Sequence, residues 1–392
     1  MGRLDPEALA ELDARLAAVD THLRTRYPGD HQSRQPVHTV YVPADRFHAG
    51  LIPEWGAIAR RSLETAPALP YPQDLHARVT AKLTDEPIED LRIDFEDGYG
   101  IRADDEEDAA VAAAAKALRS AEVTPPFVGL RVKSMEAHTR RRSLRTLDAF
   151  LDLWFEGASE LPGNFVVTLP KVSDPAQVEA FATVCARLDA AYGIALRFEI
   201  QIETPPAILG ADGTATVARM ITAADGRCTG LHYGTYDYSA AAGIGAAYQS
   251  MDHPAADHAK AVMQVAAAGT GVRLSDGSTN ILPVGSDEQV AAAWALHARL
   301  VRRSLERGFY QGWDLHAAQL PTRFAATYAF FRDGAAAARD RLAAYSDRRD
   351  TGILDEPATA RALAGFLLRG LRCGALDPDE MGDFTPERLA VP

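Results

Sequence analysis

Lysine is nearly absent from this sequence. Only Lys82, Lys116, Lys133, Lys171 and Lys260 occur in 392 residues, and the formal net charge is -13. So acidic a chain argues against a nucleic-acid backbone as partner, although local cations could still receive a small anion. Cysteine is equally scarce. Cys185, Cys228 and Cys373 are odd in number and have no metal-type spacing, so a reducing, cytoplasmic compartment is expected. No apolar run approaches the roughly 20 residues that span a bilayer, which argues against a membrane role. The first segment, MGRLDPEALAELDARLAAVDTHLRTRY, lacks a signal peptide's apolar core and reads as a helix entered at Asp5-Pro6. The histidines show no repeated ligand spacing, and no Ser-His-Asp or Cys-His arrangement can be read from the spacing. No Gly-x-Gly-x-x-Gly follows the first strand-like segment, so a dinucleotide fold has little support.

What remains is a soluble, globular composition, 47% hydrophobic and 24% charged, patterned as alternating strands and helices. Strand-like segments recur at 38–44, 91–97, 127–133, 164–171, 196–203, 229–237 and 271–277, with a weaker one at 308–316. Stretches with helical spacing, such as 105–120 and 287–308, lie between them. Eight strand–helix units predict a parallel sheet closed into a (β/α)8 TIM barrel, with an open doubly wound sheet as the alternative. Asp97, Arg131, Lys171, Glu203, Asp237, Asp276 and Asp314 recur at intervals of 34, 40, 32, 34, 39 and 38 residues. Each falls at or just after a strand's C-terminal end, the rim where barrels carry their chemistry. Asp276, in SDGST, also reads as an ordinary turn aspartate.

Alternation assigns faces. Leu91, Ile93 and Phe95 oppose Arg92, Asp94 and Glu96; Phe198, Ile200 and Ile202 oppose Arg197, Glu199, Gln201 and Glu203. With helices outside, the charged faces turn inward, where Arg92, Asp94, Arg197 and Glu199 are expected to compensate one another. Glu203 and Asp237 end neighbouring strands. Strands lie about 4.8 Å apart, so both carboxylates can reach one hard cation, Mg²⁺ or alternatively Mn²⁺. The prolines after Glu203 stop the strand at that ligand. Arg131 is the counter-group, able to grip a carboxylate with two N–H bonds. Together they suit a 2-oxo acid and the enolate formed beside its carbonyl.

Through these residues the sequence resembles the HpcH/HpaI aldolase and citrate lyase beta-subunit family, whose wider superfamily includes malyl-CoA lyase and malate synthase. VYVPADRF (40–47) is similar to that family's FVPG segment, IDFEDGYG (93–100) to LDLEDAV, and GLRVK (129–133) to VRVN. TLPKVSDPAQV (168–178) resembles LPKVESPEDV. IQIETPPAIL (200–209) and HYGTYDYSAAAGI (232–244) resemble the two metal-ligand segments, and WDLHAAQL (313–320) resembles WVIHPSQI. The resemblance covers about residues 37–323. It implies a lyase or aldolase barrel there, an N-terminal helical extension over 1–36 and a C-terminal helical cap or tail over 324–392. It further implies Glu203 and Asp237 as Mg²⁺ ligands, Arg131 as substrate anchor, and Glu96 and Asp97 near the metal's water ligands, one of them taking part in proton transfer. Gly234, Lys171 and Asp314 would line the substrate site. A homo-oligomer acting on a small anionic 2-oxo acid is expected. The departures at Gly98-Tyr99, Lys133 and Leu315-His316-Ala317-Ala318 lie near the mouth and leave the substrate and the use of a CoA thioester open.

Three alternatives keep the barrel. Lys133 or Lys171 could form a Schiff base with a carbonyl. A malate-synthase-like condensation with acetyl-CoA would need a base, for which Asp314 or Asp97 qualifies. An accessory lyase subunit would work only with a partner chain.

Overall fold

The alternating segments become eight short strands: β1 (His38–Pro43), β2 (Asp90–Asp94), β3 (Phe127–Arg131), β4 (Phe165–Leu169), β5 (Arg197–Ile202), β6 (Cys228–Tyr233), β7 (Arg273–Ser275) and β8 (Gly312–Asp314). The computed structural model describes residues 4–30, 33–65, 69–347 and 356–390. Residues 1–3, 31–32, 66–68, 348–355 and 391–392 lie outside the described residues, and with them pieces of the expected N-terminal extension, of the connection after the first strand and of the tail.

Helix α1 (Pro6–Arg26) comes first, followed after β1 by α2 (Leu51–Thr65) and α3 (Asp74–Asp85). α4 (Asp104–Ser120), α5 (Arg140–Phe155) and α6 (Pro175–Tyr192) follow β2, β3 and β4. The β5–β6 crossover holds α7 (Pro205–Ile208) and α8 (Thr216–Ala223), and the β6–β7 crossover α9 (Thr235–Ala241) and α10 (Pro254–Ala267). α11 (Asp287–Glu306) joins β7 to β8, and α12 (Leu320–Ser346), α13 (Pro357–Arg372) and α14 (Pro386–Ala390) come last. Helix starts are written locally. The Asp5 side chain accepts from Ala8 N at 2.9 Å with Pro6 opening α1, and Ser286 with Gln289 makes a capping box on α11.

All strand pairs are parallel, in the order β7-β6-β5-β4-β3-β2-β1-β8. The ring closes through a parallel bridge from Ser275 to Gln311, supported by Asp276 N donating to Gln311 O at 2.8 Å. This is the expected TIM barrel. Leu91, Ile93, Val128, Leu130, Val167, Phe198, Ile200 and Leu231 face outward into one apolar core with the surrounding helices.

The inner face is charged, and its partners differ from the expected set. Arg92 donates from Nε to Thr168 Oγ1 at 3.0 Å and from Nη2 to Glu199 Oε2 at 2.8 Å, and also pairs with Asp90. His232 Nε2 lies 3.0 Å from Glu199 Oε2. Burial alone would raise the Glu199 carboxyl, but Arg92 and His232 outweigh it and hold it far below the usual range. Such a network is tolerable because every charge has partners. Asp94 turns instead to Arg131, and Arg197 is exposed at the start of β5.

A second apolar core joins α3, α11, α12 and α13 around Trp294, Phe324, Tyr328, Phe331 and Leu367. Arg78 on α3 bonds Asp377, and Arg332 on α12 bonds Glu380. Arg369 lies over the Tyr310 ring at 4.6 Å and reaches Asp30 at 3.3 Å. Tyr310 and Asp30 precede β8 and β1, so this part of the tail packs on the flank and the end away from Glu203. It does not cover the mouth of its own barrel.

Candidate active site

The inward residue that ends β2, Asp94, organises the rim. Its Oδ1 accepts from Glu96 N and its Oδ2 from Gly98 N, each at 2.9 Å, which curls the chain just past the strand. The same two oxygens take Arg131 Nε and Nη2 at 2.6 Å each. Asp94 and Arg131 are register partners of neighbouring strands, which makes the clamp a direct product of sheet pairing. Arg131 also lies 4.7 Å over the ring of Tyr41. The two-pronged grip that sequence reasoning assigned to the substrate is thus made on Asp94. Nη1, 3.4 Å from Glu96 Oε2, is the edge that remains near the cluster.

Across the opening, Lys171 follows Pro170 at the end of β4 in a left-handed backbone conformation, φ 52°. That conformation is uncommon for a non-glycine residue and marks a constrained position. It aims the Lys171 N–H at Glu203 Oε1, 2.8 Å away. The Lys171 ammonium meanwhile bonds Glu96, lies 2.9 and 2.8 Å from the two oxygens of Asp97, and is 3.8 Å from Asp237 Oδ2. Residues from the ends of β2, β5 and β6 therefore meet around Lys171 at the end of β4, the first and last through its ammonium and Glu203 through its backbone N–H.

Glu203 is 2% exposed, whereas the Asp237 side chain is 45% exposed, so the two carboxylates form a buried inner and an open outer side. Burial, then the charges of Glu96 and Asp237, push the Glu203 carboxyl up to about 8. Burial also raises Glu96 and Asp237, against the pull of nearby cations. Asp97 goes the other way: burial would raise it, but the Lys171 hydrogen bonds prevail and it falls. Lys171 itself is raised, the carboxylates overcoming its desolvation, so it is firmly an ammonium. Gly234 completes the pocket wall. A Cβ there would sit 2.4 Å from Glu203 Cβ and 2.5 Å from Glu203 Oε2, so only glycine leaves room for the carboxylate.

Glu96, Asp97, Arg131, Lys171, Glu203, Gly234 and Asp237 are thus brought together. Asp314 is not. In and just before β8 the inward residues are Trp313 and Gln311, so Asp314 faces the helices, fully buried, bonding His38 at 2.8 Å, His297 at 3.1 Å and Arg323 at 3.0 Å. Asp276 likewise faces outward, to Lys260 and Ser304. Lys133 is committed to Glu107 and to Phe95 O. Sequence reasoning placed Asp94 inside the barrel but missed its clamp on Arg131, and it assigned no role to Tyr41 or to His232, which it weighed only as a metal ligand. Alternation put Asp94 on the inner face; the register of β2 against β3, which the sequence does not print, was the missing signal.

Among the described residues no group of three or more His, Cys, Asp or Glu side chains is arranged to hold a metal ion. The charge balance still fits one. Glu96, Asp97 and Asp237 share the Lys171 ammonium, Glu203 receives only the Lys171 backbone N–H, and Arg131 is matched by Asp94, so Glu203 and Asp237 are left without a full counter-charge. Hard oxygen donors at a partly solvated rim suit Mg²⁺, which commonly takes one or two protein carboxylates and completes its shell with water and substrate oxygens.

A citrate lyase from Burkholderia xenovorans LB400 superposes with a TM-score of 0.62 at 19% identity, over 90% of this chain and 97% of that one. The protein CitE from Mycobacterium tuberculosis, in complex with magnesium, acetoacetate and coenzyme A, gives 0.53 at 20% identity, over 88% and 100%. A magnesium/glyoxylate complex of Haloferax volcanii malate synthase gives 0.51 at 12% identity, over 92% and 99%. At these identities the likeness is one of fold. No curated protein matches the sequence. The sequence pattern of a domain of unknown function, DUF6986, matches residues 16–390, and the chain belongs to that family.

Proposed function

We propose that this DUF6986 barrel is a Mg²⁺-dependent carbon–carbon lyase or aldolase acting beside the carbonyl of a small 2-oxo acid or 2-hydroxyacyl compound. The observation that carries the reading is the convergence of Glu96, Asp97 and Asp237 on the Lys171 ammonium at the barrel rim, with Glu203 held by the Lys171 backbone N–H and a clamped guanidinium alongside. Support also comes from the shared fold with proteins crystallised with magnesium and acetoacetate or glyoxylate.

Glu203 and Asp237 would hold the ion. When bound, Mg²⁺ supplies Lewis-acid polarisation of a carbonyl oxygen and charge stabilisation beside it. The remaining work falls to the protein. Asp94 fixes the Arg131 plane and leaves Nη1 as the edge for a substrate oxygen. Lys171 draws an anionic substrate toward the rim and keeps Asp97 ionised. Glu96, with its raised proton affinity, is placed to return a proton, and Asp97 to accept one; adjacent carboxyls in contrasting environments divide the two roles. Gly234 keeps the Glu203 carboxylate free of contact on its open side.

An acyl-CoA condensation of the malate-synthase kind is the second reading; the shared fold with a protein crystallised with coenzyme A favours testing it. Asp97 is then the base, since Asp314 is buried among helices. A Schiff-base route is disfavoured, because the Lys171 amine is held protonated and Lys133 is bound to Glu107. The deciding experiment incubates the purified chain, with and without Mg²⁺, with 2-oxo acids and CoA esters and follows products by mass spectrometry. Mg²⁺-dependent cleavage or condensation by the isolated chain supports the proposal and removes the accessory-subunit reading. Full chelator-resistant turnover by Glu203→Gln and Asp237→Asn variants would overturn it.

A further inference from the structure

Helix α1 is 21 residues long and none of its residues is buried. At 1.5 Å per residue it extends about 31 Å. It is rooted at its C-terminal end, where Arg26 donates to Ala218 O at 3.1 Å and Gly29 N to Gly269 O at 2.9 Å. Yet its apolar residues are not scattered. Leu9, Leu12, Leu16, Val19 and Leu23 follow one another at intervals of three, four, three and four residues, and they are 49, 47, 48, 49 and 48% exposed. A period of 3.5 residues is the seam of a coiled coil, narrower than the stripe a helix turns to a globular core. Most of a protein helix's stability comes from packing its apolar face, so an uncovered leucine seam needs a partner.

We propose that α1 pairs, parallel and in register, with the α1 of a second copy of this chain. The flanking charges select the partner and its direction. With Leu9, Leu16 and Leu23 at the a positions and Leu12 and Val19 at d, Arg15 and His22 occupy g while Asp13 and Asp20 occupy e. In a parallel pair each g residue meets the partner's e residue five positions on, which sets Arg15 against Asp20 of the partner helix, twice over by symmetry. An antiparallel pair would set e against e and g against g, placing Asp13 opposite Asp20 and Arg15 opposite His22. The sequence of the seam is thus complementary to itself in one direction only. Because the root of α1 touches α8 and the end of α10, the joined helices stand clear of the barrel mouth residues and link whole barrels.

Disulfide trapping in the full-length chain tests this, since the three native cysteines are buried. Leu9→Cys should form a covalent dimer under mild oxidation, because residue 9 faces its own copy only in the parallel register. Adding Leu16→Glu to Leu9→Cys should abolish the cross-link and lower the solution mass by light scattering, with far-UV spectrum and barrel unfolding transition retained. Cross-linking only in a mixture of Leu12→Cys and Leu23→Cys chains, which face each other in the antiparallel register, would show an antiparallel pair and overturn the proposal. So would a 42.3 kDa monomer at working concentrations with no cross-link, or a Leu9→Cys cross-link that survives Leu16→Glu.

Discussion

The ammonium of Lys171 lies 2.9 and 2.8 Å from the two carboxylate oxygens of Asp97, and the same nitrogen is 3.8 Å from Asp237. A lysine and a divalent ion would therefore draw on the same carboxylates. Lys171→Met should bind Mg²⁺ roughly tenfold more tightly by isothermal titration, the effect of about 1.4 kcal/mol of relieved like-charge repulsion. It should at the same time raise KM for an anionic substrate. Weaker Mg²⁺ binding would mean that Lys171 instead arranges the ligands.

Glu203→Gln and Asp237→Asn keep shape and remove charge. Each should lose Mg²⁺ affinity by more than the ~10–100-fold that residues merely supporting a metal site cost. Titration calorimetry reads this without any substrate. Unchanged affinity in both would move the ion elsewhere.

Burial, then Glu96 and Asp237, raise Glu203 to about 8 from an ordinary 4.5. The folded protein thus keeps a proton that the unfolded chain releases above about 4.5. Its stabilising contribution is complete below that pH and is lost as pH climbs toward 8. The urea midpoint of metal-free protein should therefore fall across this window, and Glu203→Gln should flatten the slope. Mg²⁺ affinity should rise over the same window, as the competing proton leaves.

Gly234→Ala places a methyl 2.4 Å from Glu203 Cβ. The carboxylate must swing away, so Mg²⁺ binding and turnover should drop while stability falls by only the ~1–3 kcal/mol typical of overpacking. Thermal unfolding and titration on one sample separate the two effects.

Asp314→Asn should act on stability alone. Arg323, 3% exposed, would lose its buried counter-charge, at a cost of about 3–5 kcal/mol. The folded fraction should turn over normally; a fall in kcat with intact stability would return Asp314 to the chemistry.

Much of this was legible because strand alternation is a local property. The pattern of β5 set Glu199, Gln201 and Glu203 on one face, and the structure puts all three inside. Asp314 shows where that reading fails. In a three-residue strand beginning at Gly312, position at the strand end does not reveal the side, and the adjacent Trp313 and Asp314 cannot both turn inward. The clamp of Asp94 on Arg131, and the meeting of four strand ends on Lys171, depend on register between segments 32 to 75 residues apart. Neighbouring letters carry no such information.

Below the rim, the centre of the cylinder is plugged by Arg92, Glu199 and His232, with Tyr41 packed on Trp313 at 4.7 Å. Nothing the size of a metabolite can travel through to the far end. In the proposed reaction whatever enters leaves by the same doorway, and a product stands in the path of the next molecule until it departs.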